Sequence, residues 1–359
     1  MVFFLFSIGK SKKFCYNLKN MKILVAMSGG VDSAVTALLL KKQGHEVVGC
    51  TAKMWQGADP KDILDAQKVC VQLGIEHHSI DLSEEFHKQV ILPFVEEYDR
   101  GRTPNPCLSC NRCIKFGTLM KYMQDFGCEG FATGHYARIG EEKGEKVLLR
   151  AKDVTKDQSY VLYSLTQEQL QHLYLPLGEY TKEEIRAMAG KAGIEVAHKS
   201  DSQDICFVPD GDYEKVLNKV GLHHSHAGNF ELTDGRKVGK HRGTACYTIG
   251  QRKGLGIAWE HPLYVVGKNP ATNAVILGKN EELFEKELFA EQLNFINPVV
   301  NKFVCTAKIR YKAKDMPCEV EMQDGGAKVQ FAEPQRAITP GQGIVFYDGE
   351  KILGGGIIK

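Results

Sequence analysis

Long hydrophobic runs are missing from this 359-residue chain. None comes near the roughly 20 residues a membrane-spanning helix needs, so a helical membrane protein is excluded. A strong net charge is missing too: at +2, any binding to nucleic acid has to come from local patches rather than from a global field. There is no internal repeat and no low-complexity tract. A secretory signal is also lacking. The opening MVFFLFSIGKSKKFCYNLKN puts its short apolar patch before its lysines, the reverse of an export signal, and residues 1–20 read as a dispensable extension ahead of Met21. Without export, the eleven cysteines do not describe a disulfide scaffold. They imply a reducing, cytoplasmic setting in which the cysteines that matter are catalytic or metal-binding. The most informative absence is local. LVAMSGGVDSAVTALLLKKQG (24–44) has the glycine and serine of a phosphate-binding turn, but its turn lacks the lysine that the G-x-x-x-x-G-K-[ST] loop directs at the β- and γ-phosphates.

What is present is a globular composition, 43% hydrophobic and 25% charged, at a length that predicts two or three domains. The first half alternates strand-like and helix-like segments. KILVAM (22–27) reads as a strand buried on both faces, 32–43 as a helix, 45–52 as a strand, 60–73 as a helix and 75–82 as a strand. Residues 83–98 and 111–126 read as helices, and GFATGHYA (130–137) as a further strand. This βαβ series predicts an α/β domain with a doubly wound parallel sheet over 21–212. The pattern then changes: 213–280 includes a glycine-rich stretch at 228–257 and reads as a small linking domain. From 281 onward, short strands with turns such as QDGG and TPGQG predict a C-terminal β-barrel.

In the turn itself, strand, then S-G-G-V-D-S, then helix, places glycines where backbone approaches a ligand. Ser28, Ser33 and the amides at the helix N-terminus offer donors to an anion. An ordinary capped turn, with Asp32 as the cap, is the structural alternative. A cradle without lysine suits holding a pyrophosphate moiety while the α-phosphate is attacked. A second constellation is GRTPNPCLSCNRCIKFGTLM (101–120). Two prolines stiffen the approach, Cys107, Cys110 and Cys113 follow C-x-x-C-x-x-C spacing, and Cys110 falls near an expected helix start whose dipole lowers a thiol's pKa. That spacing also suits a metal centre. A third is SDSQDICFVPDGDY (200–213), with one cysteine among polar residues. A fourth is residues 235–257, which hold Arg236, Lys237, Lys240, Arg242, Arg252, Lys253 and His241 with no acidic residue, a candidate surface for phosphates.

The turn resembles the loop of the N-type ATP pyrophosphatases, the adenine nucleotide alpha hydrolase-like enzymes that adenylate a substrate. These motifs, with KDQSYVLYSL (156–165), TGHYAR (133–138) and GKHRGTACYTIGQRKGLG (239–256), together resemble the tRNA-specific 2-thiouridylase family from about Lys22 to the C-terminus. The resemblance implies a transferase that uses ATP and Mg2+ to adenylate the C2 oxygen of the wobble uridine, after which sulfur displaces AMP. It implies ATP contacts from Ala26, Met27, Ser28, Gly29, Gly30, Val31, Asp32, Ser33, Ala52 and Gly134. Asn105, Pro106 and Cys107 would face the target base, with Cys110 as nucleophile and Cys206 as persulfide carrier. Contacts to tRNA, through its anticodon stem-loop, would come from His135, Lys156, Asp157, Gln158, Arg310, Tyr311 and Gln342. The implied partners are tRNA and a sulfur-donor protein of a cysteine desulfurase relay, with no membrane.

One departure matters. The family commonly carries Asp after Asn-Pro, where this chain has Cys107, and a thiol of ordinary pKa near 8.5 is a poor substitute for a carboxylate. Cys107, Cys110 and Cys206 then present two readings: a persulfide relay, or three ligands of a 4Fe-4S cluster with an open iron. An amide-forming ligase on the same loop would need no paired cysteines. A noncatalytic RNA-binding module would leave the S-G-G-V-D-S turn unexplained.

Overall fold

The computed structural model describes residues 20–198, 205–208, 213–220 and 226–359, with the side chains of 197 and 198 outside that description. Residues 1–19 and most of the 200–213 motif, though not Cys206, lie outside it, as does the expected domain limit at 212. A five-stranded parallel sheet has the order β3-β2-β1-β4-β7, formed by β1 (Lys22–Ala26), β2 (Glu46–Lys53), β3 (Glu76–Asp81), β4 (Gly130–Ala132) and β7 (Leu173–Tyr174). The run KILVA is apolar throughout because both of its faces are covered. Leu24 joins one hydrophobic layer, whereas Ile23 and Val25 join the other. Helix α1 (Val31–Lys42) follows β1. Helix α2 (Pro60–Leu73) starts where the Asp59 side chain accepts the Lys61 N–H at 2.9 Å, with Pro60 in the first helical position.

A four-stranded sheet of order β10-β11-β8-β9 follows, built from β8 (Gly228–Leu232), β9 (Lys237–His241), β10 (Tyr264–Asn269) and β11 (Ala274–Gly278). The last strands are β12 (Phe284–Phe295), β13 (Lys302–Lys308), β14 (Met316–Gln323), β15 (Gly326–Arg336), β16 (Gly343–Asp348) and β17 (Lys351–Ile358). Because β12 pairs with both β15 and β17, these six strands close into a barrel.

Two expectations are corrected. The helix expected over 111–126 begins at Pro106, and its middle, Cys110–Leu119, is wound as a π-helix. The strand expected over 130–137 stops at Ala132, because Gly134 packs against the start of α1. Ala137 instead opens a hairpin, β5 (Ala137–Glu142) and β6 (Glu145–Arg150), whose second strand adds to β17 of the barrel. The barrel is thereby sewn to the first domain. Tyr160 and Tyr163 share one core with Val345 and Tyr347, and the Tyr160 hydroxyl donates to the Gly343 carbonyl at 2.8 Å.

Candidate active site

The chain leaves β1 and turns through Met27 to Gly30 into α1. Gly29 has φ +71°, and a Cβ there would lie 2.4 Å from the Asp62 carbonyl oxygen, so the turn admits no side chain. Buried Ser33 curls the turn: it accepts the Ser28 N–H at 3.1 Å, donates to the Gly30 carbonyl at 3.0 Å and meets the Ser28 hydroxyl at 3.2 Å. Ser28 stays exposed, and α1 starts without a side-chain cap, the form of a helix-terminal anion cradle. Asp32 is therefore not the cap. Ala26 and Ala52, half-buried near the ends of the neighbouring strands β1 and β2, stand at the same edge of the sheet.

The lysine missing from the turn arrives from the first position of helix Lys182–Lys191. Lys182 is 5% exposed, and its ammonium donates to both Asp32 carboxylate oxygens, at 2.7 and 2.8 Å. The Tyr136 hydroxyl donates to the same carboxylate at 2.8 Å. A cation at a helix N-terminus opposes the helix dipole, so the Asp32 carboxylate is what holds Lys182 there. Neither Lys182 nor Tyr136 belonged to the expected site. The faint sequence signal was the TKEE capping box, Thr181 with Glu184, which starts a helix on a lysine.

The thiols sit on the other side of the TGHY turn. The Asn105 side chain accepts the Cys107 N–H at 3.1 Å, Pro106 is buried, and the Asn111 amide donates to the Cys107 carbonyl at 2.9 Å. Cys107 is exposed, Cys110 and Cys113 are half-buried, and Cys206 is exposed on a turn anchored by Phe207 against Phe86 and Phe94. All are free thiols, and Cys110 is near enough to Cys107, Cys113 and Cys206 for their charges to act on it. Lys115 comes within range of the same group because of the π winding. With i→i+5 bonding, the residue five positions on lies one turn from Cys110, an arrangement seen again where the Thr118 hydroxyl donates to the Cys113 carbonyl.

The expected lowering of the Cys110 pKa is overturned. Cys110 lies a turn inside the helix, away from its N-terminal amides, and burial pushes its thiol up to about 12 against the opposing pull of Lys115. Cys107 and Cys206 open to solvent on one side, yet the protein packed behind them makes burial the main influence, and their thiols are raised as well. At neutral pH all three are therefore mostly protonated. Alkylation of these thiols by iodoacetamide is expected to keep accelerating with pH beyond about 8.5, the ordinary cysteine value. A rate that levels off at or below that pH in single-cysteine variants contradicts this.

Several residues expected on tRNA are buried or engaged within the protein in this structure. His135 is buried, its Nδ1 is 2.8 Å from the Thr133 hydroxyl, and burial holds its imidazole well below the ordinary value, in the neutral form. Asp157 is buried and accepts from the Ala151 N–H and the Ser159 hydroxyl. Gln158 holds Tyr136 from both sides of its backbone, and half-buried Lys156 lies on the same turn. This segment supports the wall that carries Tyr136 toward Asp32. Gln342 donates to the Thr103 carbonyl at 2.6 Å, tying the barrel to the approach to Cys107. Tyr311 packs on Tyr160 and feels the charge of Cys107, while Arg310 beside it is exposed. In the basic stretch, Arg242 is ion-paired with Glu214 and His241 is buried, whereas Lys237, Lys240, Arg252 and Lys253 are exposed.

Among the described residues, no three His, Cys, Asp or Glu side chains converge to hold a metal ion. The iron–sulfur ligand set does not fit this structure. At Asp32 itself a magnesium ion does not fit, since that carboxylate is engaged by Lys182 and Tyr136.

An anion cradle at the first turn of a parallel sheet, set beside clustered thiols, defines an α/β nucleotide-dependent class, and the domain comparisons agree. Residues 21–210 match the family described as tRNA methyl transferase HUP domain, 215–279 its PRC-barrel domain, and 285–358 the aminomethyltransferase beta-barrel domain. Full-length relatives carry a different name. The tRNA-specific 2-thiouridylase MnmA of Carboxydothermus hydrogenoformans is 49% identical over 358 residues, covering 94% of this chain and 97% of that one. The protein of the same name from Syntrophotalea carbinolica is 48% identical over 348 residues, covering 95% and 99%. The chain belongs to the tRNA-specific 2-thiouridylase family.

Proposed function

We propose that the chain thiolates the C2 position of the wobble uridine of tRNA, with ATP as the activating substrate. The observation that carries this reading is the TGHY turn. A Cβ on Gly134 would lie 3.0 Å from Asp32 at the cradle, while the adjacent His135 ring lies 5.7 Å from Phe116 on the cysteine helix, so the anion cradle and the thiols adjoin. In the proposed sequence the uridine O2 attacks the α-phosphorus of ATP, an O–P bond forms, and pyrophosphate leaves from the cradle of Ser28 to Ser33. The terminal sulfur of a Cys206 persulfide then attacks C2 and expels AMP. Cys110 gives its thiol proton to N3 of the base, which lost one on adenylation, and its sulfur attacks the Cys206 sulfur, breaks the S–S bond to leave C2=S, and closes a Cys110–Cys206 disulfide that an external thiol reduces. Magnesium would enter on the phosphates of ATP. Persulfide sulfur is nucleophilic near neutral pH, so the raised Cys206 thiol does not obstruct this route. Lys115 supplies positive charge where the sulfur anions form.

Arg310 and Tyr311 at the barrel edge and the exposed lysines and arginines of 235–257 face the RNA. The sulfur donor is a persulfide-carrying protein, and the setting is the cytoplasm. The test is to incubate protein, ATP, unmodified tRNA and a persulfide donor, and to look for the oxygen-to-sulfur mass change on uridine. No change in the presence of bound tRNA overturns the reading. Neutralising both Arg252 and Lys253 is expected to lower the log–log salt slope of tRNA binding by roughly one unit or slightly less for each phosphate left without its cation. An unchanged slope removes them from the interface.

A further inference from the structure

The loop between β9 and β10 builds a second feature that the thiolation chemistry does not use. Trp259 is 37% exposed on the rim of an open groove of about 650 Å³. The Arg236 guanidinium lies 5.8 Å over its ring, steadied by an ion pair to Asp234 at 2.8 Å. Arg252 lines the groove and Lys253, next to it in sequence, is also exposed. The glycines of the loop keep it open: Gly254 and Gly256 have φ +78° and +69°, and a Cβ on Gly256 would meet nothing within 4 Å. Beneath them, Leu255 and Leu263 are buried in the core that Phe230 and Val265 share, so the platform is anchored. The nearby acid, Glu260, is turned to the His261 ring at 3.5 Å.

An exposed indole held by an arginine, with further cations along the same loop, is poorly suited to an apolar partner, which would want the cations removed. It is also more than an acidic peptide needs, which would not use the ring. The combination fits a flat base with a phosphate attached, since bases stack on aromatic faces and arginine neutralises the backbone. We propose that this groove holds an unpaired nucleotide of the RNA substrate, its base stacked on Trp259 and its phosphate at Arg252. The proposal rests on tRNA being the substrate.

The chain has two tryptophans, Trp55 and Trp259, so W55F leaves Trp259 as the sole indole. Titrating W55F with unmodified tRNA is expected to quench its emission along the same curve as tRNA retention on a filter. W259L, which keeps apolar bulk without a ring, is expected to bind tRNA about tenfold more weakly, and W259F to stay near wild type. Retention of tRNA with unchanged Trp259 emission, or W259L binding like wild type, overturns the stacking site alone. Failure of the wild type to retain tRNA overturns it together with the substrate reading.

Discussion

Cys110→Ser and Cys206→Ser are each expected to abolish sulfur transfer to tRNA, by roughly 10⁴-fold or more as for loss of a nucleophile, while tRNA-dependent pyrophosphate release continues. The separation follows from the structure. The proposed adenylating cradle is formed by Ser28 to Ser33 with Lys182 and Tyr136, and among the described residues Gly134 and His135 link it to the helix that carries Cys110. Cys107→Ser is expected to keep measurable activity. Its backbone is held by Asn105 and Asn111 independently of its sulfur, and the proposed bond changes run between Cys110 and Cys206. Thiolation products by mass spectrometry, pyrophosphate release and iron content, measured in parallel on the three variants, decide the matter. If Cys107→Ser is as inactive as the other two and the wild type carries iron, the persulfide sequence is wrong.

Lys182→Met is expected to produce the complementary defect, adenylation reduced by about 10² to 10³-fold, the cost of removing one preorganised donor from a developing anion. The ammonium is almost fully buried against Asp32, beside the turn proposed to hold pyrophosphate, and methionine keeps the stem's bulk while removing the charge. The fold should survive. The Asp32 side chain is 31% exposed and keeps the Tyr136 hydroxyl, so the drop in stability is expected to be no more than about 1–2 kcal/mol, below that for a fully buried pair. A folded Lys182→Met protein that releases pyrophosphate at the wild-type rate would remove Lys182 from the reaction.

Much of this site is legible in the chain because its parts are local. KILVA followed by S-G-G-V-D-S and a largely apolar helix reads directly as strand, cradle and helix. The spacing of Cys107 and Cys110 places both on one short segment. What stays hidden depends on the folded chain. Lys182 reaches Asp32 across 150 residues and Tyr136 across 104, and no periodicity links such positions. The resemblance places His135 and Asp157 on tRNA, and their burial and internal hydrogen bonds in the folded chain do not show in a polar residue's identity. The π winding of Cys110–Leu119 leaves only one trace, Gly117, where a Cβ would sit 2.9 Å from the Arg112 carbonyl oxygen five residues back. The pKa of Cys110 goes the other way from the helix-dipole argument because burial outweighs a dipole whose reach ends within the first turn.

Pyrophosphate release measured against thiolated uridine tests the central claim most directly. With unmodified tRNA, ATP and a persulfide donor, the account predicts AMP and pyrophosphate formed in step with 2-thiouridine, no pyrophosphate without tRNA, and loss of both products in Asp32→Ala and Ser33→Ala proteins that remain folded. Release of ADP and inorganic phosphate instead, or full activity in either folded variant, would contradict adenylation at this turn.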